Sequence, residues 1–161
     1  MIRLSKLADY ALVLLTLIAR EESGSMHTAR ELAEASHLPL PTVTKLLKLL
    51  LQRGLLTSHR GIRGGYCLTK KPEQISLTEV ISLMEGEIAI TACGDKTMTS
   101  LCDLEPYCPT KANHQIISRA IKETLNRVTL NDLKRPLKLA SIRDGRGNQL
   151  LSSTPLSEKV H

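Results

Sequence analysis

Residues 39–69 read PLPTVTKLLKLLLQRGLLTSHRGIRGGYCLT, and this stretch contains the elements that decide the fold. Pro41 suits the first position of a helix, where its missing N–H costs no hydrogen bond, and Gly54 is a typical left-handed terminator. Beyond Gly54, predicted strands at 55–59 and 66–69 flank a turn that contains Gly61, Gly64 and Gly65. Glycine permits positive φ in such a turn. The stretch therefore predicts a helix followed by a β-hairpin with a flexible, basic tip.

Two further helices are predicted before this stretch. Ser5 can cap a helix whose apolar residues recur three and four positions apart. Thr28 and Glu31 have the capping-box pattern and begin a short helix that ends near Ser36. Three helices followed by a two-stranded wing predict a mainly α protein with a winged helix-turn-helix, to which a long C-terminal dimerisation helix is added.

The amino-acid composition restricts the class of protein. The chain has three tyrosines and no phenylalanine or tryptophan, so its core is aliphatic, which suits helices. Its longest apolar run, residues 11–19, is too short to cross a bilayer, and no secretory signal is visible. We therefore expect a cytoplasmic protein with no membrane partner and with reduced cysteines. No phosphate-binding glycine loop or nucleophile set indicates an enzyme.

Charge is spread unevenly along the chain. Residues 1–75 hold eleven Lys/Arg against six Asp/Glu, residues 76–110 hold one against six, and residues 111–161 hold ten against four. A basic N-terminal part indicates a polyanion as partner, although a solvated surface has the same composition. Together with the winged helix, it favours a double-stranded DNA operator.

The DNA contacts are predicted on the third helix and the wing. The helix begins with short threonine side chains, at the end that meets base edges in the major groove. Two lysines on the same helix can reach phosphates, and two arginines at the wing tip suit a minor groove. The candidate residues are Thr42, Thr44, Lys45, Lys48, Arg60 and Arg63.

Downstream of the wing, Ser76 and Glu79 repeat the capping-box pattern and begin a helix that ends at Gly86. A long amphipathic helix over 111–128 carries an apolar stripe that one small domain could not fully cover. A two-fold homodimer would cover it, and packing on its own domain is the alternative. The domains are expected at 1–75 (DNA binding), 76–110 (connecting helix and cysteine loop) and 111–135 (dimerisation). Residues 136–161 are expected to be a mostly disordered tail.

Three of the four cysteines lie between residues 93 and 108, in a segment without helical period. A disulfide pair would leave one of them over. A structural zinc site usually has two close pairs, which this segment lacks. An iron–sulfur cluster tolerates one ligand that is not cysteine. Taken alone, these residues favour an iron–sulfur cluster over zinc, and they exclude neither kind of site. Cys67, on the second wing strand, is expected to be a small buried hydrophobe.

The stretches LSKLADYALVLL, LPTVTKLLKLLLQRGLLTSHRGIRGGYCL, LTEVISLMEGEIAITAC and CDLEPYC together resemble the winged-helix iron–sulfur regulators, which include the Isc-type cluster-assembly regulator and the nitric-oxide-sensing repressor. The likeness covers residues 1–135 and is greatest to the subgroup that regulates the SUF assembly system. It implies a cluster, 2Fe–2S in preference to 4Fe–4S, held by Cys93, Cys102 and Cys108. It also implies a cluster-sensing repressor of cluster-assembly genes.

The chain departs from the Isc-type pattern at two points. Its first cysteine gap is longer, and Lys111 stands where that pattern has a histidine. Two residues are therefore candidates for the fourth ligand. His114 is near in sequence, whereas Asp9 matches the aspartate that the nitric-oxide-sensing relatives supply from the partner subunit. The alternatives are a zinc-stabilised or thiol-redox DNA-binding regulator, and a cluster-containing redox protein.

Overall fold

The computed structural model describes residues 3–22, 24–61, 63–91, 103 and 105–135. The described part of the chain forms six α-helices, one two-stranded sheet and two short 3₁₀ turns. The helices are α1 (Lys6–Arg20), α2 (Ala29–Ser36), α3 (Leu40–Gln52), α4 (Leu77–Glu85), α5 (Lys111–Asn126) and α6 (Leu130–Leu133). The strands are β1 (Leu56–His59) and β2 (Gly65–Leu68), and the 3₁₀ turns are Pro72–Gln74 and Glu105–Tyr107. The fold is the predicted winged helix.

The helix starts follow the capping residues read from the sequence. The Ser5 hydroxyl accepts a hydrogen bond from the amide of Ala8, and Thr28 forms both bonds of a capping box with Glu31. Ser76 caps α4 through its hydroxyl alone. The reciprocal bond predicted from Glu79 is not made, because the Glu79 carboxylate instead forms an ion pair with Lys70 at 2.7 Å.

Helix α3 begins one residue earlier than predicted. Pro39 precedes the helix in extended geometry and Leu40 is the first helical residue, so Pro41 occupies the second position. The prediction that Pro41 is the first helical residue was therefore wrong by one position. The first helical amides have no intrahelical partner at either position, which is why proline is accepted at both. At the other end Gly54 has φ of 73°, as expected of a left-handed terminator.

The wing is an antiparallel pair in which Leu56 lies opposite Leu68 and His59 lies opposite Gly65. Both strands differ by about one residue from the predicted ranges. Of the three turn glycines, Gly61 has φ of 127°, whereas Gly64 and Gly65 do not have positive φ. Gly65 is required for another reason: a Cβ there would lie 2.7 Å from the carbonyl oxygen of His27. The backbone of His27 occupies the space that a side chain at position 65 would need.

The core is aliphatic, as the composition predicted. Fully buried leucines of α1 and α3 pack together in it, and it extends to Val80 of α4 and Leu130 of α6. The chain returns to this core after α5, because the amide of Leu130 donates to the Ile75 carbonyl at 2.9 Å and the amide of Leu77 donates to the Val128 carbonyl at 2.8 Å. Helix α6 consequently packs against α1. The expected domain limits and the disordered tail stay predictions, since residues 136–161 lie outside the described residues.

Helix α5 ends two residues before the predicted limit of 128. Its apolar stripe is divided between two environments. Ile116 and Ile117 are 64% and 46% exposed, whereas Ile121 and Leu125 face α4 and are partly buried. An exposed pair of isoleucines on a long helix is unusual for a surface that only meets water.

Candidate nucleic-acid interface and thiolate segment

Helix α3 has one buried face and one basic face. Val43, Leu46, Leu47 and Leu50 are fully buried. Lys45 and Lys48 are exposed on the opposite side, and the helix contains no acidic residue. Neither lysine forms an ion pair with any residue that the structure describes. Helix α3 therefore presents unpaired positive charge to solvent.

The two threonines predicted to meet base edges differ in their hydrogen bonding. Both are half-buried. The Thr44 hydroxyl donates to the Leu40 carbonyl at 2.9 Å, one turn earlier in the helix. The Thr42 hydroxyl makes no hydrogen bond within the described ranges. Thr42 can therefore donate its hydroxyl proton to a partner, whereas the Thr44 hydroxyl already donates its own.

The wing tip carries the second basic group. Arg60 and Arg63 are exposed on either side of Gly61, and neither forms an ion pair with a described residue. The second wing strand is held close to the turn by a bridge that the sequence did not indicate. His27, which precedes α2, pairs with Tyr66 of β2 through two backbone hydrogen bonds. The Nε2 atom of His27 is buried and has no partner among the described residues.

One of the three predicted cluster cysteines lies within the described residues. Cys108 follows the Glu105–Tyr107 turn, three residues before the start of α5, and is half-exposed. The Thr110 hydroxyl lies 3.3 Å from its sulfur and lowers the pKa of the Cys108 thiol, and the backbone amides of Thr110 and Lys111 act in the same direction. A thiolate is the form that binds metals, so this residue fits a ligand role. Cys93 and Cys102 lie outside the described residues.

The segment that leads from α4 toward the cysteines is held against α5. The amide of Ile90 donates to the hydroxyl of Ser118, the buried residue of α5, at 3.2 Å. Lys122 forms an ion pair with Glu87 at 2.6 Å, and its carbonyl accepts from the hydroxyl of Thr78 on α4 at 2.9 Å. Sequence reasoning missed these contacts, although a serine within an apolar helical stripe was a signal for one of them.

The candidates for the fourth ligand are on different helices. Asp9 is exposed in the first turn of α1, and His114 is half-buried in the first turn of α5. Among the described residues no group of three or more His, Cys, Asp or Glu side chains converges on a common point. Cys67 is 9% exposed, which agrees with its predicted role as a small buried hydrophobe.

Comparison with known proteins identifies the family. A model of the Rrf2 family, described as iron-dependent transcriptional regulators, matches residues 4–136. The chain belongs to the Rrf2 family. It is 30% identical over 131 residues to the regulator NsrR of Bacillus subtilis, which covers 81% of this chain and 89% of NsrR. It is also 30% identical to the regulator IscR of Cronobacter sakazakii, over 98% of this chain and 96% of IscR.

Two solved structures of regulators have the same fold as this chain. The structure of CymR, the global cysteine regulator of B. subtilis, has a TM-score of 0.68 at 28% identity and covers 83% of this chain and 97% of CymR. The structure of T. potens IscR has a TM-score of 0.64 at 23% identity and covers 90% and 95%. The curated relatives are named as helix-turn-helix transcriptional regulators. This Rrf2 protein is therefore a DNA-binding transcriptional regulator and not an enzyme. In the described ranges, no helix has the length and hydrophobicity needed to cross a membrane.

Proposed function

We propose that this Rrf2 regulator senses an iron–sulfur cluster and represses genes for cluster assembly of the SUF type. The observation that carries the proposal is Cys108, whose thiol pKa is lowered by the Thr110 hydroxyl at the start of α5. Cys93 and Cys102 belong to the same short segment of sequence. Three thiolates and one other ligand suit a cluster of the 2Fe–2S or the 4Fe–4S type, and we favour 2Fe–2S. The cluster would supply a centre that responds to iron and oxidants.

The DNA contacts are proposed to come from α3 and the wing. The positive N-terminal end of α3 and the exposed Lys45 and Lys48 are suited to a major groove and its phosphates. Arg60 and Arg63 are suited to an adjacent minor groove, whose narrow form attracts arginine. The absence of acidic residues from α3 supports this assignment, because a carboxylate there would repel phosphate.

A homodimer is proposed to form through α5. Ile116 and Ile117 are exposed on this helix, and burying two isoleucines contributes roughly 1.5–3 kcal/mol each. Two chains related by a two-fold axis would bring two α3 helices to a partly palindromic operator. The same helix holds the segment that leads to the cysteines, through Ser118 and Lys122. A change in the cysteine segment would therefore act on the helix that sets the distance between the DNA-binding parts.

A thiol-based regulator without a cluster is the second candidate. The lowered pKa of Cys108 also favours a reactive thiolate. In addition, the structure of the oxidised form of CymR from Staphylococcus aureus resembles this chain, with a TM-score of 0.62 at 28% identity, and covers 85% of this chain and 99% of CymR. A regulator whose thiolates hold zinc in place of a cluster is included in this second candidate.

Anaerobic purification separates the candidates. We expect a brown protein with visible absorption and with iron and acid-labile sulfide in equal amounts. A colourless protein that contains zinc, or no metal at all, would contradict cluster sensing. The cluster-loaded and cluster-free forms are then compared for binding to DNA from upstream of cluster-assembly genes. Equal affinity in both forms would contradict sensing even if a cluster is present.

A further inference from the structure

Helix α3 carries an apolar patch at the end that the proposed function directs at DNA. Leu40, Pro41 and Thr44 line a shallow depression of about 640 Å³, with Lys45 and Lys48 beside it. Leu40 is 41% exposed although leucine is usually buried. The core of the protein does not need this side chain at that place, since α3 already buries four residues on its other face.

The hydrogen bonding of Thr44 determines what this patch can recognise. Its hydroxyl donates to the Leu40 carbonyl at 2.9 Å, so it is not available as a donor for a base edge. Leu40 and Thr44 are four residues apart and lie on the same helical face. The Thr44 oxygen can still accept a hydrogen bond, but the O4 atom of thymine is itself an acceptor. For a thymine edge, the groups that remain are therefore the Thr44 methyl and the Leu40 side chain. We call these two side chains the Leu40–Thr44 surface.

At the Leu40 end of α3, no Arg, Asn or Gln side chain supplies the usual paired hydrogen bonds to guanine or adenine. The one glutamine of the helix, Gln52, is its last residue and lines the opposite end of the depression, about three turns from Leu40. In the major groove the C5-methyl group of thymine is the apolar feature of the base edges, and Ala or Thr methyl groups are its usual partners. An apolar surface with lysines beside it is thus complementary to a thymine methyl flanked by phosphates.

We propose that the Leu40–Thr44 surface reads C5-methyl groups of pyrimidines in the major groove, and that thymine is specified at those operator positions by its methyl group. This inference rests on the proposed contact between α3 and DNA. In this inference, Thr44 recognises the base through contact between methyl groups and not by donating a hydrogen bond. The hydroxyl of Thr42 is free to form a hydrogen bond.

The test uses the full-length chain, with and without its reconstituted cluster, and a duplex selected from a random pool by the form that binds more tightly. Each thymine in the protected region is replaced by uracil, which removes only the methyl group. We expect at least one replacement to weaken binding about fourfold, the loss that corresponds to one buried methyl group. Cytosine at that position should bind more weakly than 5-methylcytosine, which restores the methyl group alone. Uracil that binds as well as thymine at every position would overturn the inference.

Two substitutions at one residue make a matched pair. Thr44→Ser keeps the hydroxyl and removes the methyl, whereas Thr44→Val keeps the methyl and removes the hydroxyl. We expect Thr44→Val to retain the sensitivity to uracil and Thr44→Ser to lose it at one thymine. Leu40→Ala should also lose the sensitivity to uracil at a thymine. Because Leu40 is exposed, we expect this variant to keep its fold, which circular dichroism checks. Loss with Thr44→Val and retention with Thr44→Ser would show that the hydroxyl reads the base.

Failure of the proposed DNA contact gives a different result. If α3 does not meet DNA, Lys48→Ala leaves the salt dependence of binding unchanged, whether or not a sequence is enriched through the wing. If α3 meets DNA but does not read methyl groups, a sequence is enriched, Lys48→Ala lowers the salt slope by about one, and uracil is neutral. The second result overturns only the inference about the Leu40–Thr44 surface.

Discussion

His27 and Tyr66 join the wing to the helical part of the protein through two backbone hydrogen bonds. The amide of His27 donates to the Tyr66 carbonyl at 3.0 Å, and the amide of Tyr66 donates to the His27 carbonyl at 2.8 Å. His27 directly precedes Thr28, the cap of α2. An isolated two-stranded hairpin has marginal stability in water, so this bridge gives the wing a third partner. The direction of the wing arginines is consequently tied to the start of α2.

Gly65→Ala is predicted to loosen this connection. Its Cβ would lie 2.7 Å from the His27 carbonyl oxygen and 2.9 Å from the carbonyl carbon, and backbone atoms cannot move aside as a flexible side chain can. We expect a loss of about 1–3 kcal/mol in the free energy of unfolding, as for other overpacked sites. Chemical denaturation measures it, and amide hydrogen exchange at Tyr66 should accelerate.

Gly61→Ala is the comparison for that variant. Gly61 has φ of 127° but open space around its Cβ position, so its substitution strains the wing tip without touching His27. In the Gly61→Ala variant, the amide hydrogen of Tyr66 should exchange at the same rate as in the unsubstituted protein. Fast exchange at Tyr66 in both variants, or in neither, would contradict the role assigned to Gly65.

Local signals explain which parts of the fold could be predicted. A cap involves residues two or three positions apart, so Ser5 and Thr28 were recognisable in the sequence and mark the starts of α1 and α2. At the Ser76 cap, the same reasoning predicted two hydrogen bonds, and the structure has one of them. Lys70 competes for the Glu79 carboxylate, and that competition depends on where the chain after β2 lies relative to α4.

Contacts between distant residues could not be predicted in this way. Nothing near His27 marks it as a strand partner, and nothing near Leu130 shows that it enters the core beside α1. For the candidate site, residue types on α3 and the wing were readable from spacing. The hydrogen bond that Thr44 donates to the Leu40 carbonyl depends on the rotamer of Thr44, and the sequence does not specify that rotamer.

The capping box of α2 should make stability depend on pH. The pKa of Glu31 lies below its ordinary value of 4.5 because its carboxylate accepts a hydrogen bond from the Thr28 amide, with a further contribution from the Thr28 hydroxyl. A lowered folded-state pKa stabilises the protein above about pH 4.5, and this stabilisation is lost as the pH falls through the folded-state value. Glu31→Gln should remove that component.

Chemical denaturation at several values across about pH 3–7, the range in which carboxylates titrate, checks this prediction. The stability difference between the unsubstituted protein and Glu31→Gln should be constant near neutral pH and shrink in acid. Glu34→Gln is the control, because Glu34 is exposed on the same helix and its side chain makes no hydrogen bond with a described residue. A Glu31→Gln difference that grows in acid would show that the sign is wrong.

The wing arginines are predicted to contribute to operator affinity. Arg60 and Arg63 are exposed, without ion-pair partners among the described residues, and a minor-groove contact contributes on the order of 1–3 kcal/mol. The double substitution Arg60→Ala and Arg63→Ala should weaken specific binding by that amount. Fluorescence anisotropy with labelled operator measures it. Arg20→Ala, on the last turn of α1, serves as the control for loss of one exposed positive charge. Operator affinity that is unchanged in the double variant would remove the wing from the interface.

The cysteines are predicted to divide into three ligands and one structural residue. Cys93→Ala, Cys102→Ala and Cys108→Ala should each lose most of the iron after anaerobic reconstitution. Cys67→Ala should keep it, because Cys67 is buried on β2 and its partner in the register is Thr57. Iron and sulfide assays, with circular dichroism to check folding, measure the outcome. Iron lost with Cys67→Ala but retained by any of the other three variants would reverse the assignment.

The fourth ligand is predicted to be Asp9 of the partner subunit, with His114 as the alternative. Asp9 is exposed in the first turn of α1, where a carboxylate also interacts favourably with the positive end of the helix. A purely helix-stabilising role would make Asp9→Ala cost about 0.3–1 kcal/mol of stability and leave a reconstituted cluster unchanged. A ligand role predicts that Asp9→Ala alters both the absorption and the circular dichroism of the cluster. His114 lies in the first turn of α5, two turns at most from Cys108, and its neutral imidazole is a good iron ligand.

Mixed dimers made from one Asp9→Ala chain and one Cys108→Ala chain test the origin of the ligand. If Asp9 acts across the dimer, both substitutions fall on one site and the other site stays intact, so half of the cluster should form with the unsubstituted spectrum. If Asp9 acts within its own chain, neither site keeps all its ligands and that spectrum should be absent. An unchanged spectrum in Asp9→Ala together with a shifted one in His114→Ala would assign the ligand to the histidine and exclude the contribution from the partner.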